Sequence, residues 1–227
     1  MLRHRIEHVF ISLCGFETMT LQAHQLAFSH GERQLFDRIS FEVDAGEALW
    51  LTGSNGSGKT SLLRLLCGLS LPTAGEVRWN GRNIRSLRED YSRDLVYCGH
   101  ATGVKEDLTA WENVAIGLEL SGKRCTRQDA HSALEQSGLA HVAHLPARVL
   151  SQGQRKRVAL ARLRIAPIPK ILILDEPFTA LDQNAVDSLS EVLSGHLAQG
   201  CAIVYTTHQQ LLLKARHVHR LDLSQAA

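Results

Sequence analysis

Three short runs hold residues whose types and spacing could do chemistry. "GSNGSGKT", Gly53 to Thr60, satisfies G-x-x-x-x-G-K-[ST], with the apolar run "ALWLT" before it and a helical pattern after it. Glycines at this spacing let backbone N–H groups converge on phosphates, and the following helix N-terminus adds a favourable dipole. Lys59 would reach the β- and γ-phosphates of a nucleoside triphosphate, and the Thr60 hydroxyl could ligate Mg²⁺. Phosphate contacts are expected from Gly53, Ser54, Asn55, Gly56, Ser57, Gly58, Lys59, Thr60 and Ser61. "ILILDEP" ends a fully apolar strand pattern on Asp175 and Glu176, at the sheet edge where open α/β sheets bind ligands. Asp175 would hold Mg²⁺, directly or through water, and Glu176 would act as general base on a water. "TTH" ends a third apolar run on His208. Alone, His208 would read as a satisfied strand-end histidine.

The elements needed to position these residues are legible in the alternation of short strands and helices from Thr20 onward. "TLQAHQLAF", "RISFEV" and "ALWLTG" read as strands, "KTSLLRLLCGL" as a helix, and "GEVRWNG" as a strand closed by an Asn-Gly turn. Between about Leu108 and Ala147 the pattern turns helical, in "TAWENVAIGLEL" and "TRQDAHSALEQSGL". It then returns to alternation: helix 151–165, strand "ILILD", helix 184–198, strand "AIVYTTH" and a closing strand near 217–223. This predicts an α/β core with a mostly parallel sheet, interrupted by a helical insertion.

A nucleotide-phosphate loop with a distal acid does not select among kinases, GTPases and ATPases. "LSQGQ", Leu150 to Gln154, does: it resembles the L-S-G-G-Q signature of ABC (ATP-binding cassette) ATPases. "FTALD" ending at Asp182 resembles that family's D-loop, the run ending at His208 its H-loop, and "LTAWEN" the opening of its helical lobe. The resemblance covers about Leu21 to Leu223. It implies a P-loop NTPase fold of ABC type: a RecA-like mostly parallel sheet, an antiparallel β lobe and a helical subdomain at about 104–150 within one domain, 19–227. It implies ATP and Mg²⁺ as ligands, and two copies sandwiching two ATP molecules head to tail. In that arrangement Ser151, Gln152, Gly153 and Gln154 act in trans on the γ-phosphate held by the other copy, and His208 contacts the γ-phosphate and helps position Glu176.

Two positions depart from the family pattern. Gln152 replaces the first signature glycine. The adenine-stacking aromatic, usually Tyr, aligns with His30, with Phe28 two residues earlier. A third position is diagnostic. In most ABC ATPases a glutamine ends the strand entering the helical lobe; here "LVYCGH" places His100 there. Imidazole is a poor direct ligand for Mg²⁺, so a water-mediated contact is the better chemistry. With "LTGSNGSGKTSLLRLLCGL", "SQGQRKRVALARL" and "LDEPFTALD", this histidine resembles the ATPase subunits of the haem exporter in bacterial cytochrome c maturation. That resemblance implies integral membrane partners, a peripheral position on the cytoplasmic face of the inner membrane, and hydrolysis coupled to haem export or release of the haem-loaded chaperone. The ATPase of a drug, lipid or lipoprotein exporter would use the same catalytic set. A soluble ABC protein on ribosomes or DNA would usually show two cassettes or coiled-coil arms, and neither is visible here.

Bulk properties agree. The 227 residues carry a net charge of +2 and a pI near 8.3, too mild to imply nucleic acid. No apolar run approaches the ~20 residues of a membrane span. Five scattered cysteines form no C-x-x-C pair and read as reduced thiols. No direct haem binding is expected, since "HVH" at 217–219 reads as a solvated strand face. Residues 1–18 read as a flexible extension or a start-site artefact ahead of Met19.

Overall fold

The computed structural model describes residues 19–209, 211 and 213–225; the 1–18 extension, with Cys14, lies outside them. In chain order the elements are β1 (Thr20–His30), β2 (Arg33–Asp44), β3 (Ala48–Thr52), α1 (Lys59–Leu66), β4 (Ala74–Trp79), β5 (Arg82–Asn83), α2 (Ile84–Leu87) and α3 (Glu89–Asp94). They continue with β6 (Leu95–Cys98), α4 (Ala110–Glu119), α5 (Arg127–Gln136), α6 (Gln152–Ala161), β7 (Ile171–Leu174), α7 (Gln183–Ala198), β8 (Ala202–Thr206) and β9 (Val218–Asp222).

Two sheets form. An antiparallel sheet has the order β2-β1-β4-β5, and a parallel sheet the order β6-β7-β8-β3-β9. Strands β7 and β8 are buried at every residue, which is why their sequences are unbroken apolar runs rather than alternating ones. Alternate residues of the parallel strands feed opposite layers. Leu49, Leu51, Ile173 and Val204 face α1 and the antiparallel sheet, while Leu172, Leu174, Ile203 and Tyr205 face α7. Helix α1 buries Leu62, Leu63, Leu65 and Leu66 between the sheets. Each fully buried leucine there stabilises by about 1.5–3 kcal/mol.

A third core lies in the helical region. Ala110, Val114 and Leu118 of α4 meet Ala130, Ala133 and Leu134 of α5, with Val158 and Ala161 of α6. The alanines let these short helices approach closely. Capping boxes start all three: Thr109 with Glu112, Thr126 with Asp129, and Ser151 with Gln154.

Two boundaries and two short helices differ from the sequence expectation. Strand β2 begins at Arg33 rather than Arg38, because the tight turn at Gly31 pairs His30 with Arg33 and extends the hairpin. The helix expected over 151–165 is α-helical only to Ala161 and finishes as a 3-10 turn, Arg162–Arg164. Helices α2 and α3 were not expected: they are too short to show a periodicity.

Candidate active site

The order β6-β7-β8-β3-β9 means that the chain leaves β3, crosses to the far edge at β6, and works back through β7 and β8. The loops after β3, β6, β7 and β8 therefore open along one edge of the sheet. They carry, respectively, the glycine-rich loop, His100, Asp175 with Glu176, and His208. A cleft of about 540 Å³ lies there, walled by Lys59, Thr60, His100, Asp175, Glu176 and His208.

The loop geometry explains its glycines. Gly58 sits at φ +96° as the residue before α1, and a Cβ there would meet the Phe36 ring at 3.1 Å and Leu35 at 3.2 Å. Gly53, at φ +140°, has no room for a Cβ beside the Ser57 hydroxyl, 2.6 Å away. The loop can thus turn its amides toward the cleft only with glycine at these points. Lys59 Nζ folds back over the loop, donating to the carbonyls of Gly53 (2.8 Å) and Ser54 (3.0 Å). Ser54 N–H donates to Ser224 Oγ at 2.9 Å, fixing the loop to the 3-10 turn Leu223–Gln225.

Asp175 is 2% exposed and fully engaged. Its Oδ2 accepts from Thr60 Oγ1 at 2.8 Å, its Oδ1 from Thr206 Oγ1 at 3.0 Å, and its N–H donates to the Cys98 carbonyl at 2.8 Å. Thr206 Oγ1 also accepts the Glu176 N–H at 2.8 Å. That bond fixes Glu176 at φ +50°, a left-handed conformation costly for a non-glycine residue. Glu176 lines the cleft beside Asp175. Its Oε2 accepts weakly from Thr179 Oγ1 at 3.4 Å, while Oε1 is buried without a hydrogen bond. His208 Nε2 stands 3.4 Å from that orphan oxygen without hydrogen-bond alignment. A carboxylate with an unpartnered oxygen, on the wall of a cleft shared with the glycine-rich loop, could act as a base on a water brought to it.

The donor set fits Mg·ATP. Thr60 and Asp175 offer hard oxygens at one point, beside the lysine and the glycine-rich loop. Two oxygen donors suit Mg²⁺, which keeps several of its waters. Among the described residues no cluster of three or more His, Cys, Asp or Glu forms a metal cage.

His100 is exposed and lines this cleft together with a second groove of about 520 Å³, between the sheet edge and α4 and α6. Thr60, His100 and Asp175 are the residues the two cavities share. Arg162 Nη2 donates to the Tyr97 carbonyl at 3.0 Å and ties the end of α6 to the strand that presents His100.

The signature residues lie apart from this cleft. Ser151 caps α6, accepting the Gln154 N–H at 3.2 Å, while Gln154 Oε1 accepts the Ser151 N–H at 2.9 Å. Gln152 is exposed, and Gly153 packs so tightly that a Cβ would lie 2.5 Å from the Ala180 carbonyl. Asp182 caps α7 through the Ala185 N–H at 2.8 Å. His30 is exposed at the end of β1, and Phe28 stacks on Phe36 with ring centroids 6.1 Å apart; neither lines the cleft, where Leu35 does.

Sequence reasoning missed Thr206, Thr179, Ser224 and Leu35. For Thr206 there was a signal: a buried threonine closing an otherwise apolar central strand needs a partner, and the neighbouring acidic pair supplies it.

Comparison with known proteins agrees with this geometry. The family described as "ABC transporter" matches residues 36–179. The cytochrome c biogenesis ATP-binding export protein CcmA of Nitrosomonas europaea is 52% identical, over 90% of this chain and 95% of that protein. CcmA of Escherichia coli K12 is 44% identical, over 90% of this chain and 97% of its own length. Among solved structures, the ATP-binding cassette MJ0796, a dimer in a post-hydrolysis state with ADP and phosphate, superposes with a TM-score of 0.76 at 25% identity, over 90% of this chain and 95% of that one. This chain belongs to the ABC transporter ATPases, in the CcmA family.

Proposed function

We propose that the chain is the ATP-hydrolysing subunit of a membrane complex in cytochrome c biogenesis, acting as a pair of copies on the cytoplasmic face of the inner membrane. The observation that carries this reading is the convergence of Lys59, Thr60, Asp175, Glu176 and His208 on one cleft in a chain of CcmA type. The residues from 19 onward act as one cassette, with the helical subdomain at about 104–150.

In this reading the amides from Gly53 to Ser61, with Lys59 released from the loop carbonyls, hold the ATP phosphates. Thr60 and Asp175 hold Mg²⁺, which supplies charge neutralisation when bound. Glu176 takes a proton from water as the water oxygen attacks the γ-phosphorus and ADP departs, a base contribution of roughly 10²–10⁴-fold. His208, with Nε2 3.4 Å from Glu176 Oε1, helps orient that water and the γ-phosphate. Ser151 to Gln154 of a second copy close the site, their helix N-terminus facing the γ-phosphate. His30, exposed at the end of β1, offers the adenine a ring to stack on, while Phe28 is occupied by Phe36.

No helix among the described residues is long and apolar enough to cross a membrane, so a transport task needs integral membrane partners. The groove beside His100 is where such a partner would dock. It is walled by apolar Ile116 and Leu120 and by Arg64, Lys105 and Lys156, and it reaches Thr60 and Asp175 at its inner end. Haem remains the cargo of the complex or of its chaperone rather than a ligand of this chain.

Deletion of the gene in its host, followed by staining for covalently attached haem, tests the reading. Loss of stained c-type cytochromes, restored by a wild-type copy and not by Glu176→Gln, is expected. Unchanged staining would leave an ABC ATPase serving another exporter.

A further inference from the structure

A third cavity, of about 310 Å³, lies away from the nucleotide cleft, between the turn that follows α5 on one side and α7 on the other. Two guanidinium groups line it, Arg157 from α6 and Arg164 from the 3-10 turn that follows. Both bond only to neutral oxygens. Arg164 Nε donates to Ser137 Oγ at 3.0 Å and its Nη2 to Ser188 Oγ at 2.8 Å, while Arg157 Nη1 reaches the Ser137 carbonyl at 3.4 Å. Neither forms an ion pair with a carboxylate among the described residues. Asp182, on the cavity wall, is committed to capping α7. Burial pulls Arg164 below the usual guanidinium range, and the more distant Glu191 only partly offsets this.

Two partly desolvated cations without an ion-paired carboxylate are expensive, because hydroxyl and carbonyl partners recover only part of the lost hydration. Leu181, Leu189 and Val192 give the cavity an apolar stretch of wall, beside polar groups from Gln136, Asn184 and Asp182. Its volume falls within the range of small-molecule sites, roughly 300–1,000 Å³. We propose that this cavity is a binding site for a small organic anion, a carboxylate or a phosphate ester, whose charge pairs with Arg157 and Arg164 and whose apolar body rests on Leu181, Leu189 and Val192.

Such a ligand touches the turn after α5, the end of α6 and α7 at once. It therefore stabilises the spacing at which the helical region stands against the helix that follows Asp182. The site is thus a regulatory input on the placement of α6 relative to the sheet, separate from the phosphate loop.

The test uses the full chain with its nucleotide cleft saturated by Mg·ADP, and two probes, phenylacetate and phenyl phosphate. Saturation-transfer NMR and calorimetry read binding to the wild type, to Arg164→Gln, and to Ser188→Leu, which fills the cavity and removes one hydroxyl partner of Arg164 while keeping both guanidinium groups. Saturable binding of one probe with Kd below about 1 mM is expected, weakened at least tenfold in both variants, while ADP affinity is unchanged. Preference between the probes identifies a carboxylate or a phosphate ester as the natural charge. Failure of both probes to bind, binding displaced by excess ADP, or binding unchanged in Ser188→Leu overturns the proposal.

Discussion

Thr206 and Asp175, at the ends of neighbouring strands β8 and β7, share a 3.0 Å hydrogen bond in which the threonine donates and the carboxylate accepts. Both residues are buried, at 0% and 2% exposure. Because the same hydroxyl accepts the Glu176 N–H, one buried side chain holds both acidic residues in place.

Thr206→Val should expose the consequence. It keeps the shape but leaves Asp175 Oδ1 and the Glu176 N–H without this partner, costing about 1–3 kcal/mol of stability. ATP turnover should fall at least about tenfold through misplacement of Glu176. Thr206→Ser should recover most of it. Urea denaturation and phosphate release measure the two effects.

Gly153→Ala would place a methyl 2.5 Å from the Ala180 carbonyl. The start of α6 must then move away from the D-loop, at a cost of about 1–3 kcal/mol. ATP should still bind a single copy, while ATP-dependent dimerisation is lost. Light scattering with and without ATP reads the difference.

His100→Gln alters a residue on the wall between the nucleotide cleft and the neighbouring groove. Basal hydrolysis and ATP affinity should survive, while stimulation by the membrane partner changes. Loss of nucleotide binding in this variant would place His100 in the ATP site instead.

His196 gives a pH dependence of stability. Its Nε2 is 3.0 Å from the Leu163 carbonyl and its Nδ1 is buried without a partner, a neutral tautomer. Burial lowers its pKa from 6.5, with Lys123 adding repulsion. The unfolded chain therefore gains a proton near pH 6.5 that the folded chain refuses, so stability is full above that pH and falls below it. The slope attributable to this group approaches about 1.4 kcal/mol per pH unit until the folded imidazole titrates. His196→Gln keeps a donor for Leu163 and should flatten that slope in denaturation midpoints measured from pH 7.5 to 5.

Much of the nucleotide cleft was legible because its chemistry is local. Gly53 to Thr60, Asp175, Glu176 and His208 each sit at a strand end that the apolar runs announce. Ser151 appeared in sequence as a helix start and is a cap, whereas Asp182, read there only as the end of "FTALD", also proves to cap a helix. What sequence reasoning lacked is long-range pairing. Thr206 matters through a residue 31 positions away, and Ser224 through a loop 170 positions away. Neither separation leaves a pattern along the chain. The bend of β1 is similar: bulges after Ala23, Leu26 and Phe28 break the alternation that would put Phe28 and His30 on one face.

Steady-state phosphate release by Glu176→Gln, alongside its ATP affinity and oligomeric state, tests the central claim most directly. A general base at this position predicts turnover reduced at least about 100-fold, ATP bound as tightly as by the wild type, and a dimer that persists with ATP. Phosphate release at the wild-type rate would contradict it and remove Glu176 as the base.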